Sequence, residues 1–265
     1  MSRAFEKVKE FLLCENIDTF SAIKAQKLSV INERIMPENA KSAVMFLIPY
    51  YTGKHEDRNV SLYSVSLDYH LYVKELSARF SGDGEHYFSF FADTSPINER
   101  RAAIDACLGF VGQNGLIISE KYGSFVFIGT LLTDAVFDDE EYVEETQKKT
   151  CMECGLCKKN CAFLCGERDY CLSELSQRKN VTDEELKIIR SQKLSWGCDT
   201  CQEVCPHNRD VAVTPIEFFH RDLLPKIDAE LIENMSKDEF SKRAYAWRGK
   251  KTILRNLGID KPHNQ

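Results

Sequence analysis

At 265 residues the chain is long enough for one large core with a smaller companion, and 43% hydrophobic with 29% charged residues is the balance of a soluble globular protein. That balance excludes a disordered or membrane-embedded chain, and a net charge of −6 excludes bulk capture of nucleic acid, leaving only local basic patches for that purpose. The opening segment, MSRAFEKVKEFLLCENIDTF, carries charges throughout and lacks the apolar run of a signal peptide or spanning helix, which predicts a cytoplasmic protein with no membrane attachment.

In chain order, AVMFLIPYY (43–51) and SFVFIGTLLTDA (124–135) have the length and aliphatic or aromatic content of buried strands. Between them SLDYHLYVKELSARF (66–80) has helical spacing, with Leu71, Lys74, Glu75 and Ala78 giving the mixed face of a surface helix. Strands mixed with helices predict an α/β or α+β sheet domain. The acidic run DDEEYVEET (138–146) reads as a solvated linker. It opens on the cysteine region, and the tail from 211 predicts a helix that starts at Ser236, with Asp238 and Glu239 in its first turn, and ends near Gly258. The organisation expected is 1–146, 147–210 and 211–265, with no internal repeat.

Eleven cysteines in a chain without an export signal point to metal binding or catalysis rather than to disulfides. Cys151, Cys154, Cys157 and Cys161 form C-x2-C-x2-C-x3-C, the bacterial ferredoxin spacing, in which three thiolates hold one [4Fe-4S] cube and the fourth reaches another. The second set that this spacing demands is Cys198, Cys201 and Cys205, with Pro206 after it. Crossed ligation assigns Cys151, Cys154, Cys157 and Cys205 to one cluster, and Cys161, Cys198, Cys201 and one further cysteine to the other. Cys171 suits that last place better than Cys165, because it leaves more chain to wrap the cube. Two tetrathiolate zinc sites are the alternative, but zinc ribbons pair two separate C-x2-C knuckles. Cys14 and Cys107 read as small buried hydrophobes. Two clusters so held make an electron wire whose terminus the preceding domain must supply.

The block FADTSPINERRAAIDACLGFVGQNGLIISEKYGSFVFIGTLLTD (91–134), followed by YCLSELS (170–176) and GCDTCQEVCPHN (197–208), resembles the epoxyqueuosine reductase family. LYSVSLDYH (62–70) and KKTILRNLGI (250–259) extend the likeness to most of the chain. The resemblance implies an α+β architecture: an α/β, nitroreductase-like cobalamin-binding domain, a ferredoxin-like domain with two [4Fe-4S] clusters, and a short C-terminal helical segment. It implies a cobalamin-dependent reductase that converts epoxyqueuosine in tRNA to queuosine, fed by a low-potential donor such as ferredoxin or flavodoxin. By position it makes Asp93 the proton donor and a cofactor contact, against the plainer reading that Asp93 caps the turn before Pro96. It makes Tyr63, Ile117, Ile128, Ser173, Cys198 and Asp199 cobalamin contacts, and supports Cys171 as the cluster ligand.

Departures from the family pattern are equally specific. CAFLCG (161–166) stands where the family has CPTGA, Gln113 replaces a lysine, and the helical-repeat domain of longer members does not follow. For tRNA that leaves KRAYAWRGKKTILR (242–255), with six basic residues, Tyr245 and Trp247, which reads equally as an RNA grip or as a solvated basic face. Two other readings therefore stand beside tRNA chemistry: a short corrinoid reductase for a small molecule or another corrinoid protein, and a plain electron carrier. His70 and His207 read as structural histidines.

Overall fold

The computed structural model describes residues 2–143 and 150–258. Packing divides the chain into two units that interleave in sequence: Met1–Tyr50, His70–Cys154 and His207–Ile216 form the first, and Tyr51–Tyr69, Gly155–Pro206 and Glu217–Gln265 the second. The composition change near 146 therefore does not coincide with a packing boundary.

In the first unit, α1 (Arg3–Cys14) is capped by Ser2 and buries Ala4, Phe5, Val8 and Leu12, one stripe at helical spacing. β1 (Phe20–Lys24) leads to β2 (Ser42–Pro49), which is buried along its whole length, as an uninterrupted apolar run requires. α2 (Tyr69–Arg79), β3 (Phe88–Ala92), α3 (Glu99–Asp105) and the short pair β4 (Phe110–Val111) and β5 (Ile117–Ile118) precede β6 (Val126–Thr133). The sheet order is β1-β2-β6-β3 and every neighbouring pair is antiparallel. β2 and β6, both predicted, are its centre; β3 lies on an edge. Gly129 of β6 stands opposite Phe46 of β2, and a Cβ there would come within 2.1 Å of the phenyl ring, so the ring fills the space a side chain would take. On one side of the sheet Met45, Leu47 and Leu132 pack with Ala102, Ala103, Leu108, Ile117 and Tyr122.

The acidic run is not simply a solvated linker. Asp138 and Glu141 form a capping box, Glu141 accepts from the Ser2 amide at 2.9 Å and from the Ser2 hydroxyl at 2.7 Å, and Tyr142 Oη lies 2.7 Å from Ser42 Oγ. Its last residues, 144–146, lie outside the described residues.

The second unit holds α4 (Leu156–Asn160), α5 (Leu172–Gln177), α6 (Asp183–Arg190), α7 (Thr200–Glu203), α8 (Ala229–Asn234), α9 (Lys237–Ser241) and α10 (Lys250–Asn256). Its core gathers Val60, Val65, Trp196, Ile227, Ile232, Phe240, Tyr245, Ile253 and Leu254. The helix predicted from Ser236 does start there, with a Ser236–Glu239 capping box, but it stops at Ser241, and Gly249 at φ +79° separates it from α10. The chain leaves the helix where Arg243 forms a β-bridge to Leu67 and the Lys242 carbonyl accepts from the Asp68 amide at 2.9 Å.

Candidate functional site

The second unit is organised by its cysteine loops. Gly155 at φ +72° ends the first tight loop and begins α4, which carries Cys157, with Cys161 at its C-terminal cap. Gly197, also at φ +72°, precedes Cys198, and α7 carries Cys201; a Cβ on Gly197 would meet Ser61 Oγ at 2.1 Å. α4 and α7 pack on one another. Burial pushes the Cys201 thiol up to about 12, and the nearby sulfurs of Cys198, Cys161 and Cys171 add to it. Burial also raises Cys198, with Cys171 contributing. Cys198 and Cys201 are thus buried, with the sulfurs of Cys161 and Cys171 near enough to Cys201 to act on it; buried ionised sulfur needs positive iron beside it, so these residues fit such a group. Cys165 stands apart: it is exposed and its Sγ lies 3.3 Å from the Ala162 carbonyl oxygen. Of the other predicted set, Cys151 and Cys154 belong to the first unit, Cys157 and Cys205 to the second. Among the described residues no three His, Cys, Asp or Glu side chains are grouped as a single-ion site would need.

Beside Cys198 lies an ion pair that sequence reasoning missed. Arg58 Nη1 is 2.7 Å from Asp199 Oδ2, and Arg58 Nη2 is 2.5 Å from Glu203 Oε1. Asp199 is 1% exposed, Arg58 5%. The Leu62 amide donates to Asp199 Oδ2 at 2.8 Å, and Gln202 donates to its other oxygen at 3.3 Å. Burial raises the Asp199 carboxyl while Arg58 opposes that rise. Tyr63 accepts from Trp196 Nε1 at 2.8 Å, and burial raises its phenol. Ser173, on α5, accepts from Gln177 at 3.2 Å. Tyr63, Cys198 and Asp199 are thus gathered in the second unit, with the Asp199 carboxylate already satisfied.

In the first unit, Asp93 follows β3 in the left-handed region at φ +62°, a conformation Asp tolerates better than most residues. The cap of α3 is Asn98, which accepts from the Arg101 amide at 3.1 Å. The Asp93 amide donates to Glu99 Oε2 at 3.0 Å. Glu99 Oε1 is buried without a hydrogen-bond partner. Burial pushes the Glu99 carboxyl up to about 7; the hydrogen bond from the Asp93 amide opposes the rise, the Asp93 carboxylate adds to it, and His70 opposes it. Sequence reasoning missed Glu99 because a Glu after an Asn cap reads as routine first-turn charge. Ile117 and Ile128 sit together in the sheet core, Ile117 fully buried and Ile128 packed against it from the edge of the cluster. Gln113 lies in the turn between β4 and β5. Cys14, predicted buried, is exposed at the end of α1, because the helix directs the stripe of Val8 and Leu12 inward instead. The His207 ring meets Phe110 edge-on at 4.9 Å, and its Nε2 is buried without a hydrogen-bond partner among the described residues, unlike the satisfied histidine expected.

Most of the basic stretch 242–255 is engaged within the second unit. Lys242 pairs with Asp238 at 2.5 Å, Arg243 donates to the Asp222 carbonyl, and Lys250 donates to those of Glu233 and Met235. Arg255 donates to the carbonyls of Arg178 and Lys179 and to Asn256 Oδ1. Trp247, 60% exposed with the Arg248 guanidinium 3.9 Å from its ring centre, and Lys251 remain on the surface.

A mixed α/β chain with a cysteine-rich unit compatible with iron–sulfur clusters is an oxidoreductase by class. No family model matches the chain. An epoxyqueuosine reductase of Listeria monocytogenes is 30% identical over 288 residues, covering 95% of this chain and 72% of that protein. One from Lactococcus garvieae is 30% identical over 263 residues, covering 86% of this chain and 71% of that protein. The chain belongs to the epoxyqueuosine reductase family. The fold agrees: the epoxyqueuosine reductase of Streptococcus thermophilus superposes with a TM-score of 0.73 at 23% identity, over 97% of this chain and 80% of that one. An epoxyqueuosine reductase solved with an epoxyqueuosine-modified tRNA-Tyr stem loop superposes with a TM-score of 0.73 at 20% identity, over 96% of this chain and 80% of that one. No described helix is long and apolar enough to cross a membrane.

Proposed function

We propose that this chain is a cobalamin-dependent, double [4Fe-4S] reductase that converts epoxyqueuosine in tRNA to queuosine. The observation that carries the reading is the 30% identity to the Listeria epoxyqueuosine reductase along nearly the whole chain. The curated relatives and the solved structures that superpose over nearly the whole chain bear that name, which does not favour the small-molecule alternative. The first unit would be the nitroreductase-like cobalamin domain and the cysteine region the ferredoxin-like one, with Cys151, Cys154, Cys157 and Cys205 on one cluster and Cys161, Cys171, Cys198 and Cys201 on the other.

Converting an epoxide to an alkene consumes two electrons and two protons and releases the oxygen as water. When bound, the clusters supply the electrons singly and cobalamin supplies a low-valent cobalt nucleophile. What this chain's own residues supply is protons and position. Asp93 would deliver a proton to the departing oxygen, from a backbone turn that exposes its carboxyl. Glu99 would hold that turn through the Asp93 amide and keep a second exchangeable proton near neutral pH. Tyr63, Ser173, Cys198 and Asp199 in the second unit, and Ile117 and Ile128 in the first, would hold the cofactor. A low-potential donor such as ferredoxin or flavodoxin would feed the clusters.

The experiment is anaerobic reconstitution with iron, sulfide and cobalamin, then incubation with an epoxyqueuosine-modified tRNA stem loop and a low-potential reductant. Queuosine formation, lost in Asp93→Asn, is the expected result. Full cofactor loading without conversion would overturn the reading.

A further inference from the structure

A cavity of about 380 Å³ lies against α2 and β3 in the first unit, and nothing in the chemistry above uses it. Its size suits a single ring-bearing ligand. His70, Lys74 and Ser77 of α2 line one wall, and Phe90 and Phe91 of β3 another. Ala92 and Thr94, the residues on either side of Asp93, complete it. Three features define what it would take. No carboxylate lines it, in a chain whose net charge is −6. Lys74 is exposed and has no ion pair among the described residues, so its ammonium is free for an anion. Phe90, half-buried with its ring against Phe80 at the end of α2, is the aromatic side chain on this side of β3, since Phe91 turns to the opposite face and packs with the Met45 and Leu132 cluster; Ser77 and Thr94 add hydroxyls.

A cation, an aromatic ring and hydroxyls without a carboxylate match a phosphate-bearing nucleotide: phosphate to the ammonium, base or ribose to the ring. The flank of Asp93 is also where an RNA strand must pass if that acid is to reach the reacting nucleoside. We propose that this cavity is a nucleotide pocket, taking one nucleotide of the substrate RNA next to the modified one, with Lys74 on its phosphate. The inference rests on the tRNA reading above and deepens it. An open cavity beside the acid's turn favours a passing strand over the corrinoid's own nucleotide tail, which has similar chemistry and is the competing occupant.

The test uses the reconstituted enzyme and the epoxyqueuosine-modified stem loop, comparing wild type, Lys74→Ala and Lys27→Ala. Lys27 is an exposed lysine elsewhere in the first unit, so its loss controls for net charge. Binding is read by anisotropy across a salt series, and turnover by KM and kcat separately. The pocket predicts that Lys74→Ala weakens stem-loop binding about tenfold, lowers the salt slope by about 0.7, and raises KM while sparing kcat. Cobalamin uptake, followed by absorbance, stays unchanged. Lys74→Ala indistinguishable from Lys27→Ala would overturn the pocket while leaving the tRNA reading intact. So would weakened cobalamin uptake with unchanged RNA affinity, which would assign the cavity to the cofactor's tail. A wild-type enzyme that neither binds nor converts the stem loop would overturn the tRNA reading and this inference with it.

Discussion

The backbone N–H of Asp93 donates to Glu99 Oε2 at 3.0 Å, so one hydrogen bond ties an exposed acid to a buried one. Because Glu99 is raised to about 7, its charge changes in the range where the enzyme would work. A carboxyl raised in the folded state stabilises the fold fully below its unfolded value, near 4.5, and that stabilisation is lost as pH rises through about 7. Wild type should therefore lose about 3 kcal/mol relative to Glu99→Gln between these limits. Denaturant unfolding of both proteins across pH measures it; parallel curves would show that Glu99 is not raised.

The Arg58–Asp199 pair predicts a second stability effect. Arg58→Met leaves a buried carboxylate uncompensated and should cost about 3 to 5 kcal/mol, whereas Arg58→Met with Asp199→Leu should recover most of that loss. Chemical denaturation of the four proteins of this double-mutant cycle decides it. Equal losses in the single and double variants would mean that the cost is packing, not charge.

Iron analysis separates the two candidates for the last cluster position. Cys171→Ser should drop the content from about eight irons to about four, and Cys165→Ser should leave it unchanged. The reverse result would move the ligand to the exposed Cys165 and require its loop to close over the cube.

For the basic stretch, the hydrogen bonds predict a division of effects. Arg255→Ala removes donors from the carbonyls of Arg178 and Lys179 and should cost about 1 to 3 kcal/mol of stability. Lys251→Ala, at an exposed position, should change stability by less than about 0.5 kcal/mol. Thermal melts of both variants check this.

The sequence made the centre of the sheet readable because β2 is buried along its whole length and β6 along most of it, so both are rich in apolar residues. β1 and β3 were hidden because they flank that centre and mix burial states, which blurs any periodicity. The second set of thiols was legible from spacing, since x2 intervals state how a loop wraps a small object. Arg58 was not, for 141 positions separate it from Asp199 and no local pattern marks a buried guanidinium. Nor was the end of α9, because the chain leaves that helix to bridge Leu67, 176 positions earlier.

Gly123 accepts no Cβ because Asn208 Oδ1 would lie 2.1 Å from it, and Asn208 also receives the Ser124 amide at 2.8 Å and donates to the Ser124 hydroxyl. The sheet unit is thus closed by a segment, His207–Ile216, that follows the last cysteine of the chain. On the ribosome, where chains grow from the N-terminus, both cysteine runs must be made before that closing segment emerges. The sheet unit's last piece is therefore translated only after all eleven cysteines have been synthesised, so the order of the chain puts the thiols first and the closure of the sheet unit second.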